Sequence, residues 1–138
     1  MNHVVLIGHG RLAHEMKNSA EMIFGELSNF TSIEFLKEEG LDSLKTKIFN
    51  AVQSGPNPTL IFADLFCGTP YNASCAVAME HKEYNIEVVS GMSLPLVLEI
   101  AAMSQTSKLE KIVEHILQIP QDTVKSFCLQ NIVEEEEL

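Results

Sequence analysis

The sequence predicts an α/β fold, built as a doubly wound, mostly parallel sheet with helices on both faces. Short apolar runs alternate with longer amphipathic segments, and residues 60–63 form an unbroken apolar run typical of a buried central strand. With 138 residues, 46% of them hydrophobic, the chain has the size of one domain with a real core. We expect one domain over residues 1–130 and an acidic tail over residues 131–138.

The first β–α unit is predicted at the amino terminus. Residues 4–7 are an apolar strand, and Gly8, His9 and Gly10 follow as a short turn. Apolar side chains at helical spacing predict a helix over residues 12–24, which Gly25 ends.

The second unit begins with the alternating segment at residues 30–35. This alternation favours an edge strand with one solvated face. Asp42 is predicted to cap a second helix, whose apolar positions include residues 44, 48, 51 and 52. The Gly- and Pro-containing turn at residues 55–58 then leads into the buried strand at residues 60–63.

The second half of the chain continues the alternation. A helix is predicted with Thr69 as its cap and Pro70 at its first position, followed by a strand over residues 86–89. Helices are expected over residues 94–103 and 108–117. Residues 123–129 are compatible with a strand or a helix, and we favour a C-terminal edge strand.

Two polar residues follow the first and third predicted strands. In a doubly wound sheet with strand order 2-1-3-4, ligands gather at the carboxyl ends of strands 1 and 3, where the order reverses. His9 and Asp64 come directly after those strands, so this topology brings an imidazole and a carboxylate into one crevice.

Features that favour an anion surround this pair. Gly8 and Gly10 flank His9 and let the backbone approach a ligand closely. Helices that begin near Arg11 and Pro70 would point free N–H groups into the crevice, beside the Thr69 hydroxyl. A carboxylate that accepts one ring N–H leaves the other histidine nitrogen as a neutral nucleophile. His9 and Asp64 are therefore candidate catalytic residues.

The remaining candidates have simpler explanations. His14, five residues after His9, has poor spacing for a shared metal, and His81 and His115 are expected at solvated helix ends. No ligand cluster is present in the sequence, so we expect no metal and no cofactor. Cys67 lies in the same loop as Asp64 and could be a thiol nucleophile, although a small loop residue is the simpler interpretation.

The overall charge and the cysteines limit the class of protein. A net charge of -10, with 19 acidic against 9 basic side chains, argues against a nucleic-acid partner. Three cysteines without paired spacing fit a reducing compartment. Without a signal segment or a membrane-spanning run in the sequence, we expect a soluble cytoplasmic protein.

Three segments together resemble the enzyme IIA component of the mannose-type sugar phosphotransferase system. They are residues 5–13 with 20–26, residues 62–74, and residues 91–99, and they occur in the family's order and at its spacing. The resemblance extends over residues 4–117 and is weak beyond them.

The resemblance implies a phosphotransferase that works through a phosphohistidine intermediate. His9 would accept a phosphoryl group from the phosphocarrier protein HPr and pass it to an enzyme IIB subunit, which feeds a membrane sugar permease. Asp64 would be the partner of His9, and Thr69 would contact the phosphoryl group, with Gly8, Gly10 and Gly68 around it. Family members are often homodimers that exchange their last strand.

This chain departs from the family at two positions in the loop. Cys67 precedes Gly68 where two glycines are common, and Thr69 replaces a frequent serine. Two alternative functions stay open from the sequence: the related phosphocarrier of a dihydroxyacetone kinase, and a non-catalytic small-molecule-binding regulatory domain. A receiver-like signalling domain would need paired acidic residues after the first strand, where Gly8, His9 and Gly10 stand instead.

Overall fold

A four-stranded parallel sheet in the order β2-β1-β3-β4 forms the centre of the molecule. The structure is a computed structural model that describes residues 1–129. Its strands and helices follow one another as β1 His3–His9, α1 Leu12–Phe24, β2 Phe30–Phe35, α2 Leu41–Ser54, β3 Thr59–Ala63, α3 Thr69–Glu80, β4 Ile86–Ser90, α4 Leu94–Met103 and α5 Leu109–Gln118. The predicted fold class and strand order are confirmed.

Helices cover both faces of the sheet, which explains the unbroken apolar strands. One face of β1 and β3 packs against α1, α4 and α5 through Val4, Leu6 and Phe62. The opposite face packs against α2 and α3, through Val5 and Ile7 among others. These side chains are fully buried, and each contributes about 1.5–3 kcal/mol to stability. Because α-helices bury both faces, the strands need no polar alternation.

Several predicted boundaries differ from the observed ones. β1 continues through His9, so His9 ends the strand rather than lying in the turn after it. Gly40 precedes α2, which leaves Asp42 in the first turn of the helix, and Gly68 takes the cap position predicted for Thr69. Neither glycine has a side chain that can cap, so the preference of Asp and Thr for capping positions misplaced both starts by one or two residues.

The carboxyl-terminal prediction was wrong within the described residues. A short 3₁₀ turn at Pro120–Thr123 follows α5, and residues 124–128 are in no strand or helix. No described residue pairs with the outer edge of β4, so the expected edge strand does not form within the described single chain. The predicted acidic tail at residues 131–138 lies outside the described residues. In the described part of the chain, no helix is long and apolar enough to cross a membrane.

A buried histidine lies at the amino-terminal edge of the sheet, opposite to the strand ends that carry His9 and Asp64. His3 is only 2% exposed, and its Nε2 is 2.9 Å from the hydroxyl oxygen of Thr31 on β2. Its ring packs directly on Gly55, where any Cβ atom would overlap it. Burial lowers the pKa of His3, because the protonated ring would lose its hydration there.

Candidate functional site

His9 and Asp64 lie side by side at the carboxyl edge of the sheet. β1 and β3 are neighbouring parallel strands, and the Asp64 N–H donates to the Ile7 carbonyl at 3.1 Å, which continues their ladder by one residue. The strand order therefore places the imidazole and the carboxylate, 55 residues apart in sequence, in the same crevice. This is the switch point at which doubly wound sheets bind ligands.

One carboxylate oxygen holds both the backbone and the ring of His9. Asp64 Oδ2 accepts the His9 backbone N–H at 3.0 Å and lies 2.9 Å from ring Nδ1. An ionised carboxylate can only accept, so Nδ1 carries the ring proton and Nε2 keeps a free lone pair. The Asp64 side chain is 9% exposed and that of His9 is 49% exposed. A fixed, sheltered carboxylate thus orients a ring that stays open to solvent.

Two glycines shape the backbone around the ring. A Cβ atom at Gly8 would lie 3.2 Å from both Cγ and Oδ2 of Asp64, so the carboxylate occupies space that a side chain would need. Gly10 has φ +58, and its N–H donates to the Phe35 carbonyl at 2.7 Å. The left-handed conformation at Gly10 turns the chain from β1 into α1 immediately after His9.

The amino end of α3 lies against the other side of the ring. A Cβ atom at Gly68 would be 3.3 Å from His9 Cε1, so only a glycine lets the ring approach this closely. No side chain caps the helix within the described structure, and Pro70 has no N–H. The positive end of the helix dipole therefore faces the ring near Cε1, at the end of α3 that Thr69 begins.

Cys67 adopts a conformation that usually needs glycine. Its φ is +63, and the Asn72 side chain donates to its carbonyl at 3.2 Å. The thiol is exposed and free, and lies close enough to Tyr71 to influence that residue. A hydrogen bond with Cys75, together with the negative charge that Cys75 and Cys67 would add, raises the pKa of Tyr71. The family departure at Cys67 thus puts a strained, exposed residue beside the crevice.

A cleft opens beside His9 and is lined by no residue of α3, and we call it the His9 cleft. It has a volume of about 470 Å³ and is lined by His9, Gly10, Phe35, Leu36, Lys37 and Glu38. The Phe35 ring meets the His9 ring edge-on, with centroids 5.6 Å apart and planes at 72°. Sequence reasoning missed this cleft, although the order 2-1-3-4 already sets the end of β2 beside His9.

The site residues predicted from the sequence fall into one cluster. His9, Asp64, Gly8, Gly10 and Gly68 contact one another or share the crevice, and Thr69 begins the adjoining helix. The histidines on the helices and in the loops lie outside this cluster. Ser32 contacts His14, Phe49 stacks on His81, and Glu99 pairs with His115. Residues 1–129 contain no group of three or more side chains suited to a metal ion.

Comparison with known proteins agrees with this geometry. Residues 3–117 match the family described as PTS system fructose IIA component, where PTS denotes the phosphotransferase system. The chain is 41% identical over 120 residues to the sorbose-specific EIIA component of Lacticaseibacillus casei, covering 86% of each protein. It superimposes on the mannose/sorbose specific IIA subunit of Enterococcus faecalis with a TM-score of 0.81 at 32% identity, covering 93% and 96% of the two chains.

A more distant neighbour supports the fold alone. The EIIA component of Streptococcus agalactiae superimposes with a TM-score of 0.85 at 22% identity, covering 92% of this chain and 98% of that one.

The doubly wound fold and the matched segments define the class as IIA components of the sugar phosphotransferase system. Within that class, the chain belongs to the mannose-type IIA family, whose model extends over most of its length.

Proposed function

We propose that this protein is a phosphoryl carrier, which accepts a phosphoryl group from HPr on His9 and transfers it to an enzyme IIB subunit. One observation carries the proposal: Asp64 Oδ2 holds Nδ1 of a half-exposed histidine at 2.9 Å, which leaves Nε2 free for reaction. Membership of the IIA family supports it.

The first transfer is an in-line displacement at phosphorus. The Nε2 lone pair of His9 forms the new P–N bond while the bond from phosphorus to the donor histidine breaks, and the electron pair of that bond returns to the donor nitrogen. The ring of His9 gains positive charge as the bond forms. Asp64 stabilises this charge, because its carboxylate stays bound to Nδ1–H and to the His9 backbone N–H.

The amino end of α3 is the natural contact for the transferred group. Gly68 allows the His9 ring to lie against this helix end, so a phosphoryl group on Nε2 would meet unpaired backbone N–H groups and the Thr69 hydroxyl. The second transfer reverses the first: a nitrogen of the IIB histidine attacks phosphorus, and the P–Nε2 bond breaks. His9 returns to its neutral form with the proton still on Nδ1.

We extend the proposal to the setting of the protein. The carrier works in the cytoplasm as one domain over residues 1–130, and reaches the membrane permease only through IIB.

The proposed carrier functions as a homodimer, since Val124, Phe127 and Leu129 expose 81%, 78% and 71% of their surface in the single chain. Phe127→Glu should therefore lower the molar mass measured by light scattering from that of a dimer to that of a monomer.

Intact-protein mass spectrometry tests the carrier function. The protein is incubated with phosphoenolpyruvate, enzyme I and HPr, beside His9→Ala and a control, His115→Ala, which removes a half-buried histidine on α5. The parent and His115→Ala should gain one acid-labile phosphoryl group, and His9→Ala should gain none while staying folded. Phosphorylation of His9→Ala, or none of the parent, would refute the proposal.

A further inference from the structure

We propose that Lys37 is the cation that receives the incoming phosphoryl group in the His9 cleft. The inference rests on the proposed carrier function and adds a residue that the family resemblance does not supply. It starts from position: Lys37 and His9 line the same cleft, which no residue of α3 lines. A phosphoryl group that arrives at Nε2 would thus lie between the α3 amino end and Lys37.

Lys37 is the available cation at this end of the sheet. Within residues 1–129 its ammonium group is in no ion pair. The other nearby cations are engaged: Arg11 by Glu15 at 3.7 Å and by Glu34 at 3.3 Å, and Lys47 by Glu39 at 2.7 Å. Glu38 lines the same cleft and offsets part of the charge of Lys37. The cleft therefore contains one lysine that can meet an anion, next to the proposed nucleophile.

The loop that presents Lys37 is held in shape by its neighbour Glu39. This carboxylate accepts the Leu36 backbone N–H at 3.0 Å and the Ser43 hydroxyl at 3.0 Å, and pairs with Lys47 at 2.7 Å. The hydrogen bond from Lys47, followed by the one from Leu36, lowers the pKa of Glu39, so these contacts stabilise its charged form. Lys37 is thereby kept at the mouth of the cleft rather than on a free loop.

The negative net charge of the protein explains why a positive charge at Lys37 would help phosphoryl transfer. The chain has a net charge of -10, which opposes the approach of a phosphoryl group with about two negative charges of its own. A fixed cation beside the reacting nitrogen offsets that repulsion locally and raises the rate of productive encounter. Lys37 supplies this charge from the His9 cleft, to which α3 contributes no residue.

The test compares two lysines that are removed in the same way. Lys37→Gln and Lys82→Gln each delete one exposed positive charge, and Lys82 lies between α3 and β4, at the opposite edge of the sheet. The second-order rate of phosphoryl transfer from ³²P-labelled phospho-HPr is measured at about 0.02 M and 0.5 M salt. At low salt we expect the transfer rate of Lys37→Gln to be about 3- to 10-fold lower than that of Lys82→Gln. At high salt the two rates should become equal, because salt screens the charge of Lys37.

A second measurement separates contact with the phosphoryl group from docking of HPr. The pH titration of the ³¹P resonance of phospho-His9 should move to higher pH by roughly 0.5 in Lys37→Gln, since a nearby cation favours the dianion. Lys82→Gln should leave it unchanged. Equal rates or equal titrations for the two variants would overturn the role of Lys37. Failure of the parent protein to take up any phosphoryl group would instead overturn the carrier function.

Discussion

Replacing Asp64 with asparagine tests whether the carboxylate does more than hold the fold. Oδ2 accepts two hydrogen bonds from His9, while Oδ1 is buried without a partner in the described structure. An asparagine has only two ways to fill this place. Either its oxygen faces His9 and its NH₂ group takes the unpartnered buried position, or its NH₂ group faces His9 and opposes both donors.

The two orientations set the limits of the expected effect. Two unit charges about 4 Å apart interact by about 4 kcal/mol at an effective dielectric constant of about 20. If the ring carries half a positive charge in the transition state, replacing the carboxylate with a neutral amide removes about 2 kcal/mol of stabilisation. This loss slows transfer about 30-fold. In the flipped orientation the amide NH₂ group donates to Nδ1, so the ring proton moves to Nε2 and blocks the nucleophile. The loss in transfer rate then approaches the roughly 10⁴-fold seen when a catalytic triad loses its carboxylate.

The assay is the initial rate of ³²P transfer from phospho-HPr, with circular dichroism and urea unfolding as checks on the fold. Glu83→Gln, in the loop before β4, is the matched carboxylate-to-amide control. ¹⁵N spectra of the His9 ring report which nitrogen is protonated. A rate within about 3-fold of the parent, with the Nδ1–H tautomer unchanged, would show that Asp64 has no catalytic role.

Three further predictions concern stability. Gly55→Ala should destabilise the protein by about 1–3 kcal/mol in urea unfolding, because its Cβ would overlap the His3 ring, whereas Gly40→Ala has open space and should change stability by under about 1 kcal/mol. Since burial lowers the pKa of His3, stability should fall as the pH drops from about 6.5 to that lowered pKa; His3→Gln should give a smaller difference between pH 7.5 and 5.5, and an equal difference would contradict the assignment. Cys67→Gly should relieve the φ of +63 and raise stability by about 0.5–1 kcal/mol, and a lower melting temperature would argue against strain there.

The fold was predictable because its strongest signals are local in sequence. The apolar runs that became β1 and β3 are buried on both faces. The edge position predicted for residues 30–35 is confirmed, but the predicted solvated face is not, since every residue of β2 is buried or half-buried. Once strand order was assumed, the proximity of His9 and Asp64 followed from topology alone. Their catalytic roles stay a prediction until the variants are measured.

Other features depend on three-dimensional detail that no sequence pattern contains. The cleft beside His9 exists because the Phe35 ring meets the histidine edge-on and the loop after β2 folds back through Glu39. Helix starts were misplaced at Gly40 and Gly68, because a glycine at a cap position gives no side-chain signal. The strand expected over residues 123–129 has no partner within the described chain.

The single open nitrogen of His9 limits how the proposed carrier could work with its two proposed protein partners. Asp64 occupies one side of the ring and α3 another, so in the proposed mechanism HPr and IIB would both approach Nε2 through the same opening. They therefore exclude each other, and phosphoryl flow through the proposed carrier requires two successive binary complexes. Excess unphosphorylated IIB would compete with phospho-HPr and slow the loading of His9, so the flux should pass through a maximum as the IIB concentration rises.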